Sequence, residues 1–126
     1  MCGKLEILKP AVQALAQPGP IQISLFPDGV AKGDELMIDF ESALIAAHPH
    51  LEESATPLQR QAIQLLDDYT DRISGMQNEE LWFDESTLMT DLRWQRVRLL
   101  AKQVLSAFGW PDEPPPMDDR VYIVGK

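Results

Sequence analysis

Residues 57 to 75 carry the feature that most constrains the fold, a stripe of apolar side chains repeating at helical spacing. Thr56 precedes Pro57, and a capping residue followed by proline at the first helical position is typical of a helix N-terminus. The stripe comprises Leu58, Ala62, Leu65, Leu66, Tyr69, Ile73 and Met76. The sequence therefore predicts an amphipathic helix here, and such a helix is stable only when its apolar face packs against other elements.

A second long helix is predicted over residues 87 to 108. Ser86 or Thr87 can cap its N-terminus, and Gly109 lies just past its end. Apolar residues surround more than half of its circumference. This pattern places the helix near the centre of the fold, where several neighbours can cover it.

A third principal helix is predicted over residues 35 to 48, where apolar residues again recur at helical spacing. Asp34 can cap its N-terminus, and Pro49 is expected to end it because proline lacks the N–H that a helix interior uses. A shorter helix is predicted to begin at Pro10 and to end before Pro18.

Two further segments have the character of β-strands. Residues 21 to 26 alternate apolar and polar side chains, and residues 120 to 124 are rich in β-branched and aromatic types. Residues 111 to 119, rich in proline and acid, are predicted to be an extended connector. The second strand can pair with the first or with another copy of the chain. The predicted fold is a single domain over residues 1 to 126, of class α+β and mainly α-helical, with three principal helices and a small two-stranded sheet.

The chain is strongly acidic, with 20 acidic residues against 11 basic ones and a formal charge of −9 over 126 residues. This charge repels phosphate backbones and anionic membranes, so we expect no direct binding to nucleic acid or membrane. It favours encounter with a basic protein. Residues 1 to 20 lack the apolar stretch of a signal peptide, and the single cysteine, Cys2, excludes an intrachain disulfide. We expect a soluble, cytoplasmic protein of bacterial type, and the sequence leaves its oligomeric state open.

The segment Gln22-Ile23-Ser24-Leu25-Phe26 resembles the short peptide with which many bacterial replication and repair proteins dock on the sliding clamp. In that motif family a glutamine leads and leucine and phenylalanine follow, and the isoleucine at the second position departs from the pattern. The resemblance implies that Leu25 and Phe26 fill an apolar pocket of the clamp while the Gln22 amide hydrogen-bonds at its edge. The structural alternative is a half-buried strand whose Leu25 or Phe26 belongs to the core.

Asp67, Asp68 and Asp71 form an aspartate cluster with the spacing that helical diphosphate-processing enzymes use to hold magnesium. Residues four apart share a helix face, and Mg²⁺ prefers carboxylate oxygens. The alternative is a solvated helix face, on which Asp68 is placed for a surface pair with Arg72.

The remaining polar groups do not assemble a catalytic set of nucleophile, base and orienting residue from His48, His50 and the terminal Cys2. The basic residues between positions 93 and 102 are spread around their helix, and we expect them to pair with acidic residues. The sequence therefore favours a non-catalytic protein-binding domain without a cofactor, such as an adaptor, inhibitor or immunity-like protein. The alternatives are a sliding-clamp-binding accessory protein and a magnesium-dependent enzyme acting on a diphosphate.

Overall fold

The computed structural model describes residues 5 to 116, and within that range the chain forms α-helices, one short 3₁₀ helix at Met76–Asn78, and loops. The α-helices are α1 (Leu8–Ala16), α2 (Gly19–Ser24), α3 (Lys32–Ser54), α4 (Pro57–Ile73), α5 (Glu79–Phe83), α6 (Thr87–Thr90) and α7 (Leu92–Phe108). Among residues 5 to 116, none of the helices could span a membrane.

The helix predicted over residues 57 to 75 is α4, which ends two residues earlier than expected. Its N-terminus is a capping box: the Thr56 hydroxyl accepts from the Gln59 backbone N–H at 3.1 Å, and the Gln59 side chain accepts from the Thr56 N–H at 2.9 Å. These bonds satisfy donors that the first turn otherwise leaves without partners. The N-terminal boundary of α4 therefore follows from local sequence.

The helix predicted over residues 87 to 108 is interrupted. α6 ends at Thr90, Asp91 is extended, and α7 begins at Leu92. The Asp91 carboxylate caps the new helix by accepting from the Arg93 backbone N–H at 2.8 Å. Gly109 ends α7 in the left-handed conformation with φ 71°, as its position after the last apolar residue predicts.

The predicted end of the third helix at Pro49 is wrong, because α3 continues through that proline to Ser54. Proline removes one backbone donor from the helix, and here the loss falls on an exposed face where water can solvate the freed carbonyl. Buried Leu51 and Ala55, beyond the proline, attach the last turn to the core. Burial of these side chains outweighs the local preference to stop.

The strand predicted at residues 21 to 26 is also wrong, because most of this segment is helix α2. Pro20 lies in the first helical turn, where its missing N–H is not needed. Gln22 and Phe26, four residues apart, are buried, whereas Ser24 is exposed. An alternating strand would bury all three on one face. Alternation over only six residues does not distinguish a short strand from a short helix.

The described residues consequently form an all-α fold, which contradicts the predicted α+β class with a two-stranded sheet. The other predicted strand, residues 120 to 124, lies outside the described residues, as do residues 117 to 119 of the predicted connector. The described part of that connector contacts α1, because Gln13 donates to the Pro111 carbonyl and Gln17 donates to Asp112.

The core is built around α7, whose buried residues are Trp94, Val97, Leu100, Ala101, Val104 and Leu105. α7 packs against α1 on one side and α4 on the other, and α3 packs against α1 and α5. Although only residues 55 and 56 separate α3 from α4, the two helices touch little. α4 is attached to α7 instead, so α3 and α4 diverge and leave a groove between them.

Candidate binding groove between α3 and α4

The groove between α3 and α4 encloses a volume of about 500 Å³ and combines apolar with acidic side chains. Its lining residues are Glu41, Leu44, Ile45, His48, Pro49 and Asp67. All of them except Asp67 come from α3. Positions 41, 45 and 48 recur at helical spacing and therefore lie on one face of that helix.

Ile45 is a strongly exposed apolar residue of this groove, with 76% of its surface accessible. Ile38 lies two turns earlier on α3, next to the groove but outside its lining, and is 45% exposed. Both lie off the buried stripe of α3, which is formed by Leu36, Met37, Phe40, Ala43, Ala47 and Leu51. The two isoleucines therefore contribute little to the core, and their apolar surface is available to a partner.

Pro49 changes the backbone chemistry of the groove. In a regular α-helix the N–H of residue 49 would donate to the carbonyl of residue 45. Proline has no N–H, so the Ile45 carbonyl lacks that donor. Ile45 and Pro49 both line the groove, so this break in the helical hydrogen-bond pattern lies beside the carboxylates of Glu41 and Asp67.

The electrostatics of the groove are dominated by Asp67. Partial burial raises the pKa of this carboxyl, the neighbouring Asp68 and Asp71 raise it further, and His48 across the groove opposes the shift. A carboxylate that is partly desolvated and surrounded by like charge gains from the approach of a cation. Asp67 therefore marks the groove as a site that favours positive charge.

The two flanking helices are acidic as a whole. Their acidic residues are Asp34, Glu35, Asp39, Glu41, Glu52 and Glu53 on α3, and Asp67, Asp68 and Asp71 on α4. Of their basic residues, Lys32 pairs with Glu85 at 2.9 Å and Arg60 donates to the Ala55 carbonyl. Acidic residues outnumber lysines and arginines by six to one on α3 and by three to two on α4, and Glu41 and Asp67 are the acidic residues that line the groove.

The residues of the predicted clamp motif lie elsewhere, in and after α2. Gln22 is fully buried: its amide donates to the Ala14 and Leu15 carbonyls at 3.1 Å each, and its Oε1 accepts from Arg98 at 2.8 and 3.2 Å. Phe26 is buried in the core and Leu25 is half-buried against it. In this conformation the hydrogen-bonding capacity of Gln22 is used within the fold.

The three aspartates of the predicted magnesium site do not share one environment. Asp67 is half-buried in the groove, whereas Asp68 and Asp71 are exposed, and Asp68 accepts from Gln64 at 2.8 Å. Among residues 5 to 116, no group of three or more histidine, cysteine, aspartate or glutamate side chains is arranged to hold a metal ion. The structure places Asp67 in the groove with Glu41 and His48 of α3, whereas Asp68 and Asp71 lie on the exposed side of α4.

Two arginines of α7 have defined partners within the fold. Arg93 forms ion pairs with Glu80 and Asp91 at 2.8 Å each, and these bonds lower the pKa of both carboxyls. Both partners are acidic, as expected from the sequence for the basic residues of this helix. Arg98 differs, because it is partly buried and bonds to Gln22 and to the Leu88 carbonyl.

Sequence reasoning missed Ile38, Glu41 and Ile45 as site residues. A signal was present, since Ile38 and Ile45 are seven residues apart and off the apolar stripe of their helix. It could not be interpreted without knowing that α4 diverges from α3.

Comparison of the chain with protein-family models, with curated proteins and with solved structures found no match.

Proposed function

We propose that this chain is a non-catalytic cytoplasmic protein-binding domain, and that the groove between α3 and α4 docks a positively charged partner protein. The observation that carries the proposal is the exposure of Ile45, an apolar side chain outside the core, in a groove that the carboxylates of Glu41 and Asp67 also line. Apolar anchors bordered by polar or charged groups are typical of protein interfaces.

Charge is expected to act mainly on the rate and specificity of association. The groove walls and the net charge of −9 have the same sign, so a basic partner is attracted before contact. Because this attraction is screened by salt over roughly 8 Å at physiological ionic strength, the association rate should fall as NaCl is added. The apolar contact with Ile45 should be less sensitive to salt.

A matched pair of variants tests the proposal. Ile45→Arg places a charge in the groove, and Leu92→Arg places the same charge on an equally exposed leucine, also 76% accessible, at the start of α7. Proteins captured by the wild-type chain from an extract of its native cells would be identified, purified and titrated against both variants. Circular dichroism would confirm that each variant keeps its helical content.

The expected result is a purified basic protein that binds the wild type and Leu92→Arg equally, and binds Ile45→Arg at least about tenfold more weakly, a difference of about 1.4 kcal/mol. Equal binding of all three chains would move the interface elsewhere and overturn the assignment of the groove. Capture of no specific protein would overturn the binding function itself.

A further inference from the structure

We infer that the ligand bound in the groove extends along α3 to the neighbouring Ile38 and is an amphipathic α-helix of the partner protein, with two apolar residues seven positions apart and a lysine or arginine between them. The inference rests on the proposed function and specifies its ligand. Its basis is the spacing of exposed side chains along α3 together with the charges at its centre.

The spacing of the two isoleucines favours a helical ligand. Ile38 and Ile45 are separated by two turns of α3, or about 10.5 Å at 1.5 Å per residue. A ligand helix lying along α3 repeats its own apolar face at the same distance, through residues i and i+7. A β-strand places side chains of one face about 6.7 and 13.4 Å apart, so it cannot match both anchors.

Backbone hydrogen bonding points to the same conclusion. The two walls of the groove are helices, whose interior N–H and C=O groups bond within each helix, and no strand edge exists among residues 5 to 116. A peptide bound as an added strand would find no ladder of partners there. A helix satisfies its own backbone and needs only side-chain contacts.

The position of the carboxylates sets the charge of the ligand. Glu41 lies three residues after Ile38 and four before Ile45 on the same face of α3, and Asp67 lines the groove from α4. The residue of a bound helix that lies between its two anchors, at i+3 or i+4, therefore meets both carboxylates. Lysine or arginine at that position can also donate to the Ile45 carbonyl, which has no donor from Pro49.

The probe is a set of stapled helical peptides of about 15 residues, a length that is only marginally helical without the staple. The parent peptide carries leucines at i and i+7 and lysine at i+4. One control moves the lysine to the opposite face, a second shortens the leucine spacing by one residue, and a third replaces the staple with a central proline. Binding to the full chain is measured by fluorescence anisotropy.

We expect the parent peptide to bind the wild type and Leu92→Arg equally, and each control peptide to bind at least about tenfold more weakly. Ile45→Arg should weaken parent binding by a similar factor. Glu41→Lys should do the same for the lysine peptide, and the double variant Glu41→Lys plus Asp67→Asn, which removes both carboxylates, should bind a peptide with glutamate at i+4. This exchange of charges tests the contact without relying on loss of function alone.

Equal affinity for the parent and proline peptides, or failure of the charge exchange, would overturn the helical assignment. The full partner protein separates the two hypotheses. If its binding is lost in Ile45→Arg but the segment that contacts the groove is not helical, the proposed function survives and this inference fails. If its binding is unaffected by Ile45→Arg, the groove is not its binding site and both fail.

Discussion

Replacing Gln22 with leucine should destabilise the fold strongly, although the volume and the helical propensity of the side chain change little. Gln22 connects α1 to α7: its Nε2 donates to the carbonyls of Ala14 and Leu15, and its Oε1 accepts two hydrogen bonds from Arg98. Leucine can make none of these bonds. Two buried carbonyls lose a donor, and a partly buried guanidinium loses an acceptor.

The magnitude follows from the kinds of group left without partners. A buried neutral group that loses its hydrogen bond costs about 1 to 3 kcal/mol, and hydrogen bonds to a charged group are worth about 1.5 to 3 kcal/mol. Burial already lowers the pKa of Arg98, which shows that this guanidinium is poorly solvated. Allowing for partial relaxation, we expect a loss of about 3 kcal/mol, or a fall in Tm of roughly 10 °C for a chain of this size.

Urea denaturation followed by circular dichroism measures this loss, and a double-mutant cycle with Arg98→Met assigns it. If Gln22 and Arg98 depend on each other, the double variant should be less destabilised than the sum of the single variants by about 1 to 2 kcal/mol. A loss below about 1 kcal/mol in Gln22→Leu, or strict additivity, would refute this reasoning. It would also favour the docking interpretation of Gln22, in which the side chain serves a partner rather than the fold.

Three further predictions concern a proline, a carboxylate and a glycine. Pro49→Ala should raise the free energy of unfolding by roughly 1 to 3 kcal/mol, because alanine restores a donor inside α3, and an unchanged or lower urea midpoint would contradict this. Asp67→Asn should be more stable than the wild type at pH 7, and its advantage should vanish below pH 4, because the raised pKa makes the folded state bind the proton more tightly than the unfolded state. Asp91→Asn removes a carboxyl whose pKa is lowered in the folded state. This variant should therefore be less stable than the wild type at pH 7, and the difference should shrink as the pH falls through the acid range in the same titration. Gly33→Ala should cost about 3 kcal/mol, because its Cβ would lie 2.1 Å from the Leu81 carbonyl oxygen, whereas Gly109→Ala, strained only by its positive φ, should cost about 1 kcal/mol in parallel melts.

Local sequence alone determined α4 and the end of α7. The capping box at Thr56 and Gln59 and the glycine at position 109 act within a few residues of the helix ends that they define, so their effect is independent of the rest of the chain. The acidic character of the surface is likewise a property of composition. The location of Asp67 on a helix next to Asp68 and Asp71 was also correctly predicted.

Tertiary contacts decided the features that sequence reasoning misassigned. Residues 21 to 26 match a strand by alternation, but Gln22 satisfies carbonyls of α1 and the guanidinium of Arg98, which is 76 positions away, and that arrangement holds α2 as a helix. α3 passes through Pro49 because residues beyond it are buried by neighbouring helices. The groove exists because α4 packs on α7 rather than on α3. Each outcome depends on groups that are distant in sequence and meet only when the chain folds, and their burial and hydrogen-bond energies exceed the local preferences of the residues involved.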